Sequence, residues 1–240
     1  MIIRGILIVL GLLLLWTGLI HLFQWPAYLV PSPFEVFQTI WLQPGLILQE
    51  TWPTVLESLL GFLVAGLAGI TLALLMMVCR AVRFWVLPIL LISQALPTFA
   101  IAPIIVIWLG FGMASKLVVI SIALFFPIAT ALFDGLQRCP LVWLDQAAIY
   151  GASKWRSVWL IQWPAALPSL GSGLKMAAAW APMAAVVSEW VGASQGLGFL
   201  MLSANARVET ALTFSALLVL AVFTLLFYAL VSWWVGRWDW

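Results

Sequence analysis

Apolar residues run through this chain in long unbroken stretches, not in the alternating pattern of a strand or the one-sided pattern of a surface helix. Six stretches, near residues 3–22, 55–78, 85–108, 117–134, 169–189 and 212–235, approach or exceed the roughly 20 apolar residues that a helix needs to cross a bilayer. A transmembrane barrel shows alternating segments of about ten residues instead. The pattern therefore predicts an all-α, polytopic membrane protein with six transmembrane helices in one domain over residues 1–240. Composition points the same way, because 65% hydrophobic against 8% charged residues lies outside the range of soluble domains. Six spans nearly fill the chain, so any chemistry that needs a soluble domain has to come from another polypeptide.

The interruptions of the pattern carry further information. The loop between the first two spans holds Pro26, Pro31, Pro33 and Pro44 and no Lys or Arg, which predicts turns and extended pieces with one short amphipathic helix over residues 34–42. Pro88, Pro97 and Pro103 in the third span and Pro182 in the fifth each remove a backbone hydrogen bond and predict kinks, a device common beside transport pathways. Small residues recur every fourth position at Gly61, Ala65, Gly69 and Ala73 and again at Gly173, Ala177, Ala181 and Ala185. Such stripes let helix backbones approach closely, either within one bundle or between subunits. Of the 16 tryptophans, Trp25, Trp52, Trp85, Trp108, Trp143, Trp190, Trp233, Trp234 and Trp238 flank the spans as an interfacial aromatic belt does.

Basic residues are retained on the cytoplasmic side of a membrane, which sets the orientation. With the N-terminus inside, Arg4, Arg80, Arg83, Arg138, Lys154, Arg156 and Arg237 share one side, against Lys116 and Arg207 on the other. Both termini are thus expected in the cytoplasm. The first span follows Arg4 but is long for a signal peptide and lacks a small-x-small cleavage site, so it reads as an uncleaved anchor. Cys79 and Cys139 fall at cytoplasmic helix ends and are expected as free thiols.

Several function classes are disfavoured by what the spans lack. Ion-coupled carriers keep ionisable groups at mid-depth. Here Glu57, Lys175 and Glu189 fall near span ends, and mid-span polarity is limited to neutral groups such as Ser93, Gln94, Thr98, Ser121, Thr130 and Ser188. No GxxxxGK[ST] loop is present, so active transport would need an energy source on a partner. One His and two distant Cys make no metal site, and a net charge of +2 spread along the cytoplasmic rim makes no nucleic-acid patch. Gly192-Ala193-Ser194-Gln195-Gly196 matches the nucleophile pattern GxSxG, with His21 on the same predicted side. That pattern needs a strand-to-helix elbow, and its glycines read better as a turn after the fifth span. An intramembrane serine hydrolase and a passive channel remain as distant alternatives.

The segment over residues 139–164, between spans four and five, is charged and capped. Pro140 suits a first helical turn, residues 141–150 can be helical, and Gly151 suits a left-handed C-terminal cap. Ser153 can cap a second helix carrying Lys154, Trp155, Arg156 and Trp159. Ala147, Ala148, Gly151 and Ala152 give a low-relief surface that a partner's groove can approach. An amphipathic helix lying in the headgroups is the alternative reading.

Asp145-Gln146-Ala147, Gly151-Ala152-Ser153 and Pro164 resemble the EAA loop of permease subunits of ATP-binding-cassette (ABC) importers, EAAxxxG followed by IxLP. The spacing from Asp145 to Gly151 to Pro164 matches, while Asp145, Gln146 and Trp163 depart from the family's Glu, Ala and Leu. The likeness extends through Pro31-Ser32-Pro33, Leu96-Pro97-Thr98, Ala102-Pro103, Trp108 to Gly112, Phe126-Pro127 and Gly192 to Gly198. These resemble the branch serving sulfonates, taurine, nitrate and thiamine-precursor pyrimidines.

The resemblance implies the type I importer permease architecture in a bacterial plasma (inner) membrane, acting as a homodimer rather than as an enzyme. It implies a cytoplasmic ATPase dimer docked on the segment holding Asp145, Gln146, Ala147, Ala148, Gly151, Ala152, Ser153 and Pro164. ATP and Mg would sit on that partner, with no cofactor on this chain. A periplasmic or lipid-anchored binding protein would deliver substrate to the outer face. For the substrate pathway, Met176, Trp180 and Met183 form one stripe of the fifth span, whose indole can stack on a heteroaromatic ring or simply pack on a neighbour. Gln94, Thr98 and Ser188 add neutral polar groups. The sequence from Ala177 into GASQGLGFLMLSANAR resembles permeases for hydroxymethylpyrimidine, with aliphatic sulfonate, taurine or nitrate as the alternative.

Overall fold

The computed structural model describes residues 2–93 and 97–238, and these are helical apart from turns and short connections. In chain order the helices are α1 (Ile2–Phe23), α2 (Pro33–Leu42), α3 (Pro44–Val78), α4 (Arg80–Ser93), α5 (Thr98–Leu109), α6 (Met113–Gln137), α7 (Leu141–Ile149) and α8 (Lys154–Ser157). A π-helical turn, Val158–Gln162, leads into α9 (Trp163–Gly192), followed by α10 (Leu197–Ala206) and α11 (Thr210–Val235). Among the described residues, four helical bodies are long and apolar enough to cross a membrane: Pro44–Val78, Met113–Gln137, Lys154–Gly192 and Thr210–Val235. The apolar helix α1 is 22 residues long, and the apolar helices Thr98–Leu109 and Leu197–Ala206 are shorter.

Local signals place several elements as expected. The short helix in the proline-rich loop is α2, whose N-cap Ser32 forms a capping box: the Glu35 N–H donates to the Ser32 hydroxyl at 3.3 Å and the Ser32 N–H to the Glu35 carboxylate at 2.7 Å. Two boundaries differ from the sequence expectation. The helix that carries the second expected span starts at Pro44, inside the stretch expected as loop, because Pro44 sits in the first turn, where its missing N–H costs nothing, and Pro53 is absorbed within the helix. The third span, expected as one run over 85–108, is carried by α4 and α5, with Pro97 extended (φ −66°, ψ 121°) as the N-cap of α5. Pro88, Pro103, Pro127, Pro168 and Pro182 all lie inside helices.

The core forms where α6 packs between α3 and α9. Both small-residue stripes are used here, inside the bundle. A Cβ on Gly69 would stand 3.1 Å from the Phe125 carbonyl oxygen, and one on Gly173 would stand 2.8 Å from that of Pro127. Ala65, Ala73, Ala177, Ala181 and Ala185 are fully buried beside them. Larger side chains would separate these backbones, so the spacing of small residues sets the helix-to-helix distance. Trp85, Trp108, Trp190, Trp233 and Trp234 are exposed near the ends of their helices, and Trp52 is exposed within α3.

Candidate functional site

A cavity of about 750 Å³ opens between α5, α6 and α9. Met176, Trp180 and Met183 project into it from α9, and Thr98 joins them from the start of α5. Thr130 and Ser172 add hydroxyls, and Asp134 contributes a carboxylate at the end nearer α7. The expected stripe thus lines a space instead of packing on a neighbouring helix. Ser188 does not join it: its side chain is buried elsewhere and donates to the Ala185 carbonyl at 2.7 Å. Gln94 lies outside the described residues.

At the end of the bundle where α6 gives way to α9, the capped segment is built as its local chemistry dictates. Gly151 has φ +75° and closes α7: its N–H donates to the Ala148 carbonyl at 3.0 Å, and the Ala152 N–H to the Ala147 carbonyl at 2.9 Å. This is the paired C-terminal arrangement that a left-handed residue permits. Ser153 caps α8, accepting the Arg156 N–H at 3.4 Å. Asp145, Gln146, Ala148, Gly151 and Ser153 are exposed, as is Pro164 beyond the π-helical turn; Ala152 is half-buried and Ala147 is buried against the bundle. Ile149 and Tyr150, at 82% and 88% exposure, extend the apolar part of this surface.

The opposite end holds a feature that the hydropathy pattern concealed. Glu57 in α3 and Glu189 in α9 are each 1% exposed, and Lys116 in the first turn of α6 is 7% exposed. Nζ of Lys116 donates to Oε1 of Glu57 at 2.6 Å, so Lys116 is a buried partner and not a loop residue. Glu189 accepts the Thr54 hydroxyl at 2.6 Å and the Gly198 N–H at 2.5 Å, while the Leu197 N–H donates to the Thr54 oxygen at 2.8 Å. The Gly196 N–H is taken by Glu50 at 2.6 Å. Two carboxylates therefore occupy the N-terminus of α10, where the helix dipole and free N–H groups favour negative charge. Gly196 (φ +117°) and Gly198 let the carboxylate in, since a Cβ on either would strike Glu189. Sequence reasoning placed these acids near span ends but had no means of pairing them, because the partners lie 59 and 135 residues apart.

Ser194 of the GxSxG match lies in the connection between α9 and α10, so helices stand on both sides of it where a hydrolase elbow has a strand. Both cysteines are free; Cys79 is exposed, and burial pushes the Cys139 thiol up.

The bundle thus combines a cavity between its helices with an exposed, capped segment at one end. The chain belongs to the family described as binding-protein-dependent transport system inner membrane component, which matches residues 61–239. It is 44% identical over 237 residues to a probable ABC transporter permease protein of Haemophilus influenzae, covering 99% of this chain and 97% of that one. It is 35% identical to the riboflavin transport system permease of Chloroflexus aurantiacus, covering 92% and 83%. The formylaminopyrimidine transport permease of Halalkalibacterium halodurans is 32% identical, covering 85% and 82%. Among solved structures, the inward-facing MetNI methionine ABC transporter superposes with a TM-score of 0.70 at 19% identity, covering 82% of this chain and 99% of that one, which shows a shared fold. The protein is an ABC importer permease subunit embedded in the membrane. Membership of this family of ABC permeases implies an ATPase and a substrate-binding protein as partners.

Proposed function

We propose that this permease imports a thiamine-precursor pyrimidine, of which hydroxymethylpyrimidine is the leading candidate, as a homodimer in a bacterial plasma membrane. On this reading six spans cross the bilayer with both termini and α7 in the cytoplasm and α10 on the outer side, which the distribution of Lys and Arg supports. Two ATPase subunits, holding ATP and Mg, dock on α7, Gly151 and the start of α8. A binding protein releases substrate at the α10 end. ATP-driven closure moves the two docking segments together and shifts the bundle between outward- and inward-facing populations.

The observation that carries the substrate reading is the cavity wall. Trp180, flanked by Met176 and Met183, offers a flat polarisable face, and Thr98, Thr130 and Ser172 offer neutral hydrogen-bonding groups. Among the described lining residues there is no Lys or Arg to meet a sulfonate or nitrate. The names of two relatives, for riboflavin and formylaminopyrimidine, describe flat heteroaromatic cargo. Labelled hydroxymethylpyrimidine is expected not to accumulate in a deletion strain. Trp180→Ala is expected to lower uptake by roughly 2- to 12-fold, the equivalent of about 0.5–1.5 kcal/mol of stacking, with Trp180→Phe close to normal. Normal pyrimidine uptake in the deletion strain, together with lost taurine uptake, overturns the assignment in favour of sulfonates.

A further inference from the structure

A helix ends in carbonyls that have no partner within the helix. At the α7 end of the bundle, two of them are taken by side chains from one short segment. Nζ of Lys154, the first residue of α8, donates to the carbonyl of Val78, the last residue of α3, at 2.7 Å. Nε2 of Gln162, the last residue of the π-helical turn, donates to the Leu136 carbonyl in the final turn of α6 at 3.4 Å, and Gln162 is buried.

Between these two anchors the backbone is wound with one extra residue per turn, and the Trp163 N–H reaches back to the Val158 carbonyl. Such turns are rare and occur mainly at functional sites. The indoles of Trp155, Trp159 and Trp163 pack in succession along the same stretch, with ring centroids 5.8 and 5.5 Å apart, and stiffen it. This stretch follows α7 directly through the Gly151 turn. A displacement of α7 therefore reaches α9 through the chain, α3 through Lys154 and α6 through Gln162.

We infer that Lys154 and Gln162 are positioning residues of the transport cycle, strapping the ends of α3 and α6 to the docking segment so that the three core helices follow the ATPase as one body. This rests on the docking role proposed for α7. Ordinary helix capping would make the same two bonds matter for stability alone, so the test has to read coupling.

The transporter is reconstituted with its ATPase in proteoliposomes, carrying Cys79→Ser and a reporter Ile122→Cys on the α6 side of the cavity wall; Cys139 is buried and stays. Labelling of the reporter by a membrane-impermeant maleimide is compared with and without ATP and vanadate. Lys154→Met and Gln162→Met keep side-chain length and remove the donor, whereas Lys154→Arg keeps a donor. The ATPase is expected to co-purify with all three variants. The nucleotide-dependent change in labelling is expected to fall by about fivefold or more in each Met variant and to persist in Lys154→Arg. Lys154 is exposed, so its variants test the strap even where Gln162→Met folds poorly. A wild-type nucleotide response in Lys154→Met overturns the strap alone. Failure of the ATPase to co-purify with the unmodified permease overturns the docking reading, and the strap with it.

Discussion

Gly196 and Gly151 have φ of +117° and +75° and each stands in a turn between two helices, at opposite ends of the bundle, yet their surroundings differ completely. A Cβ on Gly196 would collide with the Glu189 carboxylate, whereas one on Gly151 would meet nothing within 4 Å. At the α10 end, polar groups are consumed within the chain: Lys116 answers Glu57, and Thr54 with the α10 amides answers Glu189. At the α7 end, Asp145, Gln146, Ile149 and Tyr150 are left on the surface. One turn is finished by its own sequence, and the other offers free space to a second protein. A glycine of the same backbone type thus reports an internal contact in one place and open space in the other.

The sharpest way to break this comparison is Gly151→Asp. Because the chain itself leaves room for the side chain, the folding cost is limited to backbone strain of about 1–2 kcal/mol. Transport is nevertheless expected to be lost nearly completely, with membrane insertion intact and ATPase co-purification abolished. Retained uptake and co-purification would show that nothing approaches this turn.

At the other end, Lys116→Met leaves Glu57 buried without its cation, for an expected loss of about 3–5 kcal/mol, read as a lowered unfolding midpoint in detergent. The double variant Glu57→Met/Lys116→Met is expected to recover most of that loss, since paired apolar replacements of similar volume are often neutral. A single variant as stable as the parent would mean that the ion pair holds nothing together. The smallest effect is expected from Thr54→Val, which removes one bond to Glu189 and the acceptor for the Leu197 N–H, at about 1.5–3 kcal/mol. Faster amide hydrogen exchange at Leu197 and Gly198, with α7 unchanged, is the expected readout; exchange confined to α7 would invert the assignment of the two ends.

What could be read from the sequence follows from how local each signal is. Gly151 and Ser153 act within a few residues of themselves, and their caps form as expected, whereas Pro140 stands just before α7 as its N-cap instead of in its first turn. The stripe at Met176, Trp180 and Met183 is also local, and only the space it faces had to come from tertiary structure. Pro44 misled because proline density suggested a loop, whereas it stands in the first turn of α3, which also tolerates Pro53 inside it. Pro97 had the opposite effect: it was expected to bend a single span and instead separates two helices as an N-cap. The charge network and the Lys154 and Gln162 bonds were not legible, since each joins helices distant in the chain and leaves no periodic trace.

The helical run Lys154–Gly192 is continuous over 39 residues. At about 1.5 Å per residue it forms a rod of roughly 60 Å, about twice the hydrocarbon thickness of a bilayer. Its first residue grips α3, and Glu189, near its far tip, grips α10. A π-helical turn and Pro164, Pro168 and Pro182 interrupt its hydrogen bonding without ending it, so one helix physically links the α7 end of the bundle to the α10 end.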